Sequence, residues 1–83
     1  MPTLGFQIVD ALSNSKNVVE DDLGTLLALD VSIDLADGML KATPHRVNDL
    51  LDVLEANAGR AETPGESAGY VRAQKIVREV ANI

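Results

Sequence analysis

Apolar residues fall at helical spacing in four stretches of the chain. Leu4, Ile8, Val9, Ala11 and Leu12 make the first. Ser13, Asn14, Ser15 and Asn17 then offer side chains that compete for backbone hydrogen bonds, so this pattern predicts a first helix over about residues 4–13. A second begins near Val19, where Glu20, Asp21 and Asp22 suit the positive end of a helix, and Leu23, Leu26, Leu27 and Leu29 continue its apolar side. Leu26, Leu29, Ile33, Ala36 and Leu40 form an unbroken 3,4,3,4 seam, compatible with one helix over residues 19–41. Asp30-Val31-Ser32 is equally compatible with a turn, with Ser32 capping a separate helix. The alternation Val31, Ile33, Leu35 admits a short strand as a third reading.

Thr43-Pro44 is a helix start signal, since threonine accepts first-turn amides and proline at the first helical position gives up nothing. Val47, Leu50, Leu51 and Leu54 supply the buried stripe of that helix, and Gly59 is its expected stop. After a connector at residues 60–63, Thr63-Pro64-Gly65-Glu66 matches the capping box, the most specific local signal in the sequence. The final helix, about residues 64–82, presents Tyr70, Ala73, Val77 and Val80 on one row and Gly69, Ala73, Ile76, Val80 and Ile83 on the next. The expectation is an all-α domain over residues 1–83, a small bundle of four to five helices.

Eighty-three residues permit a single small core. Only Phe6 and Tyr70 are aromatic, and aliphatic side chains with alanine favour helix-on-helix packing. Cysteine is absent and histidine occurs once, which removes disulfides and any His/Cys metal cluster, so stability must come from packing or self-association. No apolar run approaches a membrane span, and Met1–Gly5 lacks the pattern of a secretory signal. A location in the cytoplasm or within a larger assembly is expected.

Charge sharpens the picture. Residues 1–59 carry a balance of −7 and residues 60–83 a balance of +1, giving the net −6. An acidic surface repels phosphates and favours basic protein partners. On a continuous helix Asp30, Asp34 and Asp37 line up on one side, and Arg72, Lys75 and Arg78 of a neighbouring copy are candidates to meet them. The candidate protein interface therefore combines Tyr70, Ala73, Ile76, Val77 and Val80 with these six charged residues. Its mechanism would be burial of apolar faces of residues 19–41 and 64–83, with complementary charge setting orientation.

Residues 32–59 also form two amphipathic segments about a break, with Leu35, Ala36 and Leu40 on the first and Val47, Leu50, Leu51 and Leu54 on the second. This spacing resembles the helix-turn-helix of winged-helix repressors. The resemblance implies a DNA-binding regulator whose reading helix starts at Thr43, with His45, Arg46 and Asn48 near base edges. Asp49 and Asp52 on that helix and Asp34 and Asp37 on the one before oppose it. A third class is an acidic inhibitor that occupies a partner's nucleic-acid groove through Asp30, Asp34 and Asp37. No phosphate loop, nucleophile elbow or two-histidine metal helix occurs, so no reaction, cofactor, metal or small-molecule substrate is expected. Self-association or docking to another protein is the leading expectation.

Overall fold

A computed structural model describes residues 3–18, 22–41 and 46–83. Its helices are α1 (Leu4–Val18), α2 (Leu23–Leu40), α3 (Val47–Arg60) and α4 (Pro64–Ala81). No strand occurs among the described residues. The protein is a small all-α bundle.

Residues 23–40 form one unbroken helix, so the seam through Leu29, Ala36 and Leu40 wins over the turn and the strand. Ser32 is fully buried in mid-helix, where its hydroxyl donates to the Ala28 carbonyl at 2.7 Å and does not cap anything. The helix begins at Leu23 and not near Val19. Asp22 is the cap, accepting the Thr25 amide at 3.2 Å. Val19, Glu20 and Asp21 lie outside the described residues, as do Thr43, Pro44 and His45.

Two further boundaries move for identifiable reasons. Helix α1 continues past Ser13 to Val18, because tertiary contacts employ the polar tail that should have ended it. The Ser15 hydroxyl accepts from Arg72 Nε of α4 at 2.5 Å, and Lys16 pairs with Asp30 of α2 at 2.5 Å. Helix α3 runs through Gly59 to Arg60 and ends where Ala61 turns extended at φ −61°, ψ 137°. No described glycine has positive φ, so Gly59 is an ordinary helical residue and no stop.

Helix α4 starts as expected, with Thr63 Oγ1 accepting the Glu66 amide at 3.2 Å. It ends on left-handed Asn82 (φ 61°), and the amides of Asn82 and Ile83 both turn back to the Arg78 carbonyl.

Contacts between helices depart from a square bundle. The broadest contact is between α2 and α4, followed by α3 with α4, α1 with α2 and α1 with α4, while α2 touches α3 only slightly. In chain order α2 and α4 would sit on a diagonal, and small residues let that diagonal collapse. A Cβ placed on Gly69 would stand 2.6 Å from Ala28 Cβ and 2.9 Å from the Thr25 carbonyl oxygen. Thr25 Oγ1 donates across the same crossing to the Gly65 carbonyl at 3.0 Å. A Cβ on Gly24 would lie 3.0 Å from the Glu66 amide nitrogen, so the two helix starts adjoin and α2 and α4 run in the same direction. Helix α1 runs opposite to α2, since Gly5 near its start packs against Leu40 at the end of α2.

Around this pair the large aliphatic side chains close the core. Ile8 and Leu12 from α1, Leu29 and Leu40 from α2, Leu50 and Leu54 from α3 and Val77 from α4 are all excluded from solvent in one cluster. Each contributes roughly 1.5–3 kcal/mol on full burial. Gln74 is buried with its amide nitrogen unpartnered, the one side-chain polar atom in that state among the described residues.

Candidate functional site

The apolar residues of α4 expected to meet a partner are already used inside the chain. Ala73 and Val77 are fully buried, Tyr70 nearly so, and Ile76 and Val80 pack half-buried against the same core. The physical reason is the position of α4, which touches all three other helices as the hub of the bundle. These side chains are therefore largely engaged within the chain. Burial pushes the Tyr70 hydroxyl above its ordinary pKa of 10.0, the nearby Glu66 carboxylate adds to the rise and Arg60 opposes it.

What remains outside is an ordered pair of strips. On α2 the solvent side carries Leu23, Leu27, Asp30, Asp34 and Asp37 at 4,3,4,3 spacing. Leu23 is 81 % exposed and Leu27 54 %, which corrects the expectation that both lie on the apolar side of this helix. Their row falls opposite Thr25, Ala28, Ser32 and Ala36, the buried row that α2 turns inward. On α4 the solvent side carries Ala68, Val71, Lys75, Arg78 and Asn82 at 3,4,3,4 spacing, with Val71 54 % exposed.

The charges on these strips are unequally engaged. Asp30 holds Lys16 of α1, and Arg72, at the edge of the α4 strip, holds Ser15. Asp34, Asp37, Lys75 and Arg78 form no ion pair among the described residues. Shallow depressions beside the basic strip are lined by Ser15, Arg72, Lys75, Ile76 and Glu79 and by Lys75, Arg78, Glu79, Asn82 and Ile83. Neither is an enclosed cavity. Sequence reasoning found both charged sets and missed the leucines and valine that extend them, although the spacing continues backward from Asp30 to Leu27 and Leu23, and from Lys75 to Val71.

The residues of the helix-turn-helix reading are arranged differently. Arg46 and Asn48 are exposed at the start of α3, and Arg46 Nε bonds Asp49 Oδ2 at 3.2 Å. Asp49, Asp52 and Glu55 share the exposed side of this helix. Helix α3 packs chiefly on α4 and meets α2 through the small contact noted above. Among the described residues no group of three or more histidine, aspartate or glutamate side chains is placed to hold a metal ion. No described helix is long and apolar enough to cross a membrane.

No family model matches the chain, and neither does any curated protein or solved structure.

Proposed function

We propose that this protein works by non-enzymatic protein–protein contact, as a self-associating assembly subunit whose contact surfaces are the outer sides of α2 and α4. One observation carries this reading: leucines and a valine more than half exposed stand in line with Asp34 and Asp37 on α2 and with Lys75 and Arg78, beside Glu79, on α4. A scattered exposed leucine needs no explanation, whereas apolar residues aligned with unpaired charge on two helices make a patterned surface. The apolar part supplies attraction, and the charged part selects orientation.

The acidic α2 strip would also suit an unrelated basic protein, and an acidic mimic of nucleic acid would expose the same carboxylates. The α4 strip separates these cases, because a mimic has no use for Val71, Lys75 and Arg78. The helix-turn-helix reading gains no support from the exposed side of α3, where acids outnumber Arg46.

Sedimentation of the purified chain over a wide concentration range, at low and high salt, tests the proposal. Mass above the monomer that grows with concentration and falls as salt screens the charges is the expected result. A strict monomer under every condition would remove it.

A further inference from the structure

We infer that copies of this chain join head to tail, the α2 outer strip of one against the α4 outer strip of the next, so that assembly is directional and does not stop at a symmetric dimer. The inference rests on the self-association proposed above and adds its geometry.

Three features combine. First, the charged parts of the strips lie on opposite sides of the molecule. Helices α2 and α4 pack on each other through Thr25, Ala28 and Gly69; Asp34, Asp37, Lys75 and Arg78 lie away from that contact, while Leu23 and Leu27 border it, sharing a shallow depression with Thr63, Gly65 and Glu66 at the start of α4. Second, α2 and α4 run in the same direction. Third, each strip reads apolar first and charged second from its own N-terminal end: Leu23 and Leu27 precede Asp30, Asp34 and Asp37, and Ala68 and Val71 precede Lys75 and Arg78.

Only one alignment satisfies both parts of both strips. With the helices parallel, Leu27 meets Val71, and seven residues further along each helix, about 10.5 Å, Asp34 meets Arg78. Asp30 against Lys75 fills the position between them, and Leu23 against Ala68 extends the apolar end. Reversing one helix sets Leu27 against Arg78 and Asp34 against Val71, which strands a charge on an apolar side chain at each end.

Symmetry follows from placement. A two-fold dimer uses the same patch on both copies: centred on the charged part it would bring aspartates onto aspartates or lysine and arginine onto their own kind, and centred on the apolar part alone it would leave both charged ends unmet. Opposite faces of opposite charge instead leave every bound copy with one face occupied and one face free. Such a contact continues into a filament or closes into a ring.

Two single substitutions at exposed positions test the direction. Leu27→Asp spoils the α2 strip and leaves the α4 strip intact, and Val71→Asp does the reverse. Each alone is expected to stay monomeric at concentrations where the unsubstituted chain assembles, with unchanged helical circular dichroism. Mixed in equal amounts, they are expected to give a single 1:1 species of twice the monomer mass, because each mixture partner supplies the face the other lacks. The two spoiled faces left at its ends each carry the new carboxylate at the position where Leu27 and Val71 should meet, so like charges oppose there and the pair does not extend.

A mixture that remains monomeric while the unsubstituted chain assembles would overturn the head-to-tail geometry and leave self-association standing. An unsubstituted chain that stops at a dimer at all concentrations would do the same. A chain that never exceeds the monomer would overturn both proposals. As a second route, Asp34→Arg should abolish assembly, and adding Arg78→Asp in the same chain should restore it. Failure of that restoration, with both variants folded, counts against the Asp34–Arg78 register.

Discussion

Where α2 meets α4 the residues are small, and the two hydroxyls buried on α2 are satisfied: Thr25 donates to Gly65, Ser32 to Ala28, and Gly69 lets the backbones approach. On the outer sides of the same two helices, Leu23, Leu27 and Val71 stand more than half exposed in line with charged side chains. The inner row is selected by size and the outer row by the order of apolar and charged residues. A helix can carry both instructions at once because rows half a turn apart do not interfere, so the folded unit can be complete while its surface is still unsatisfied.

Five measurements test this contrast. Val77→Asp buries an unpaired charge at a fully enclosed inner position and should cost more than about 4 kcal/mol, against a total stability of about 4–12 kcal/mol for a chain this size. Loss of the helical signal at room temperature is the expected outcome. A variant that keeps its fold but loses assembly would move Val77 to the outer surface and undo the assignment of α4.

Gly69→Ala comes next. The new methyl would meet Thr25 backbone and Ala28, neither of which can swing aside, so overpacking of about 1–3 kcal/mol exceeds the roughly 1 kcal/mol that alanine gains in a helix. A lowered melting temperature checks it, and a raised one would mean that the close crossing is absent. Gln74→Met removes the unpartnered buried amide and keeps the volume, and should stabilise by about 1 kcal/mol. Unchanged or reduced denaturant resistance would show that the amide finds a partner after all.

Gly38 is the outer counterpart of Gly69. A Cβ there meets nothing, so Gly38→Ala should raise stability by about 0.5–1 kcal/mol. Two glycines in helical segments giving opposite signs on the same substitution would be the cleanest statement of the inner and outer rules; the same sign for both would erase it.

The smallest effect belongs to Tyr70. Its folded-state pKa is raised, chiefly by burial, so its contribution is fully present below the unfolded value near 10 and is lost as pH climbs through the higher folded value. Tyr70 is the one tyrosine, so ultraviolet absorbance of its phenolate reads it directly, with a midpoint above 10 and stability declining as pH rises from about 10 through that midpoint. A midpoint at or below 10 would place the ring in solvent, off the α4 core.

Much of the fold could be read from spacing. The seam through Leu29, Ala36 and Leu40, the Thr63 cap and the stripe through Leu50, Leu51 and Leu54 are local signals, and local chemistry decides them. The misplaced ends of α1 and α3 have another origin. Whether Ser15 and Lys16 stay helical depends on Arg72 and Asp30, which lie far along the chain, and no window around residue 15 contains that information. The apolar members of the candidate surface lie in the core for a related reason. Periodicity shows that Tyr70, Ala73 and Val77 share a face but not whether the chain's own helices cover it, and Leu23 and Leu27 look like core residues until α2 is seen to turn its small side inward. Size, more than hydrophobicity, chose the buried row.

The crossing that holds the molecule together also joins positions remote in sequence, with Thr25 and Gly65 forty residues apart. Helix α1 can find α2, and α3 can find α4, across short connections, whereas α2 can find α4 only by closing the long span that contains α3. The chain entropy of that closure is lost before the glycine seam contributes anything in return. Folding is thereby divided in time: two quickly formed hairpins and one slower docking event. Substitutions in the seam, Gly69 foremost, are the ones through which the rate of that last event would register.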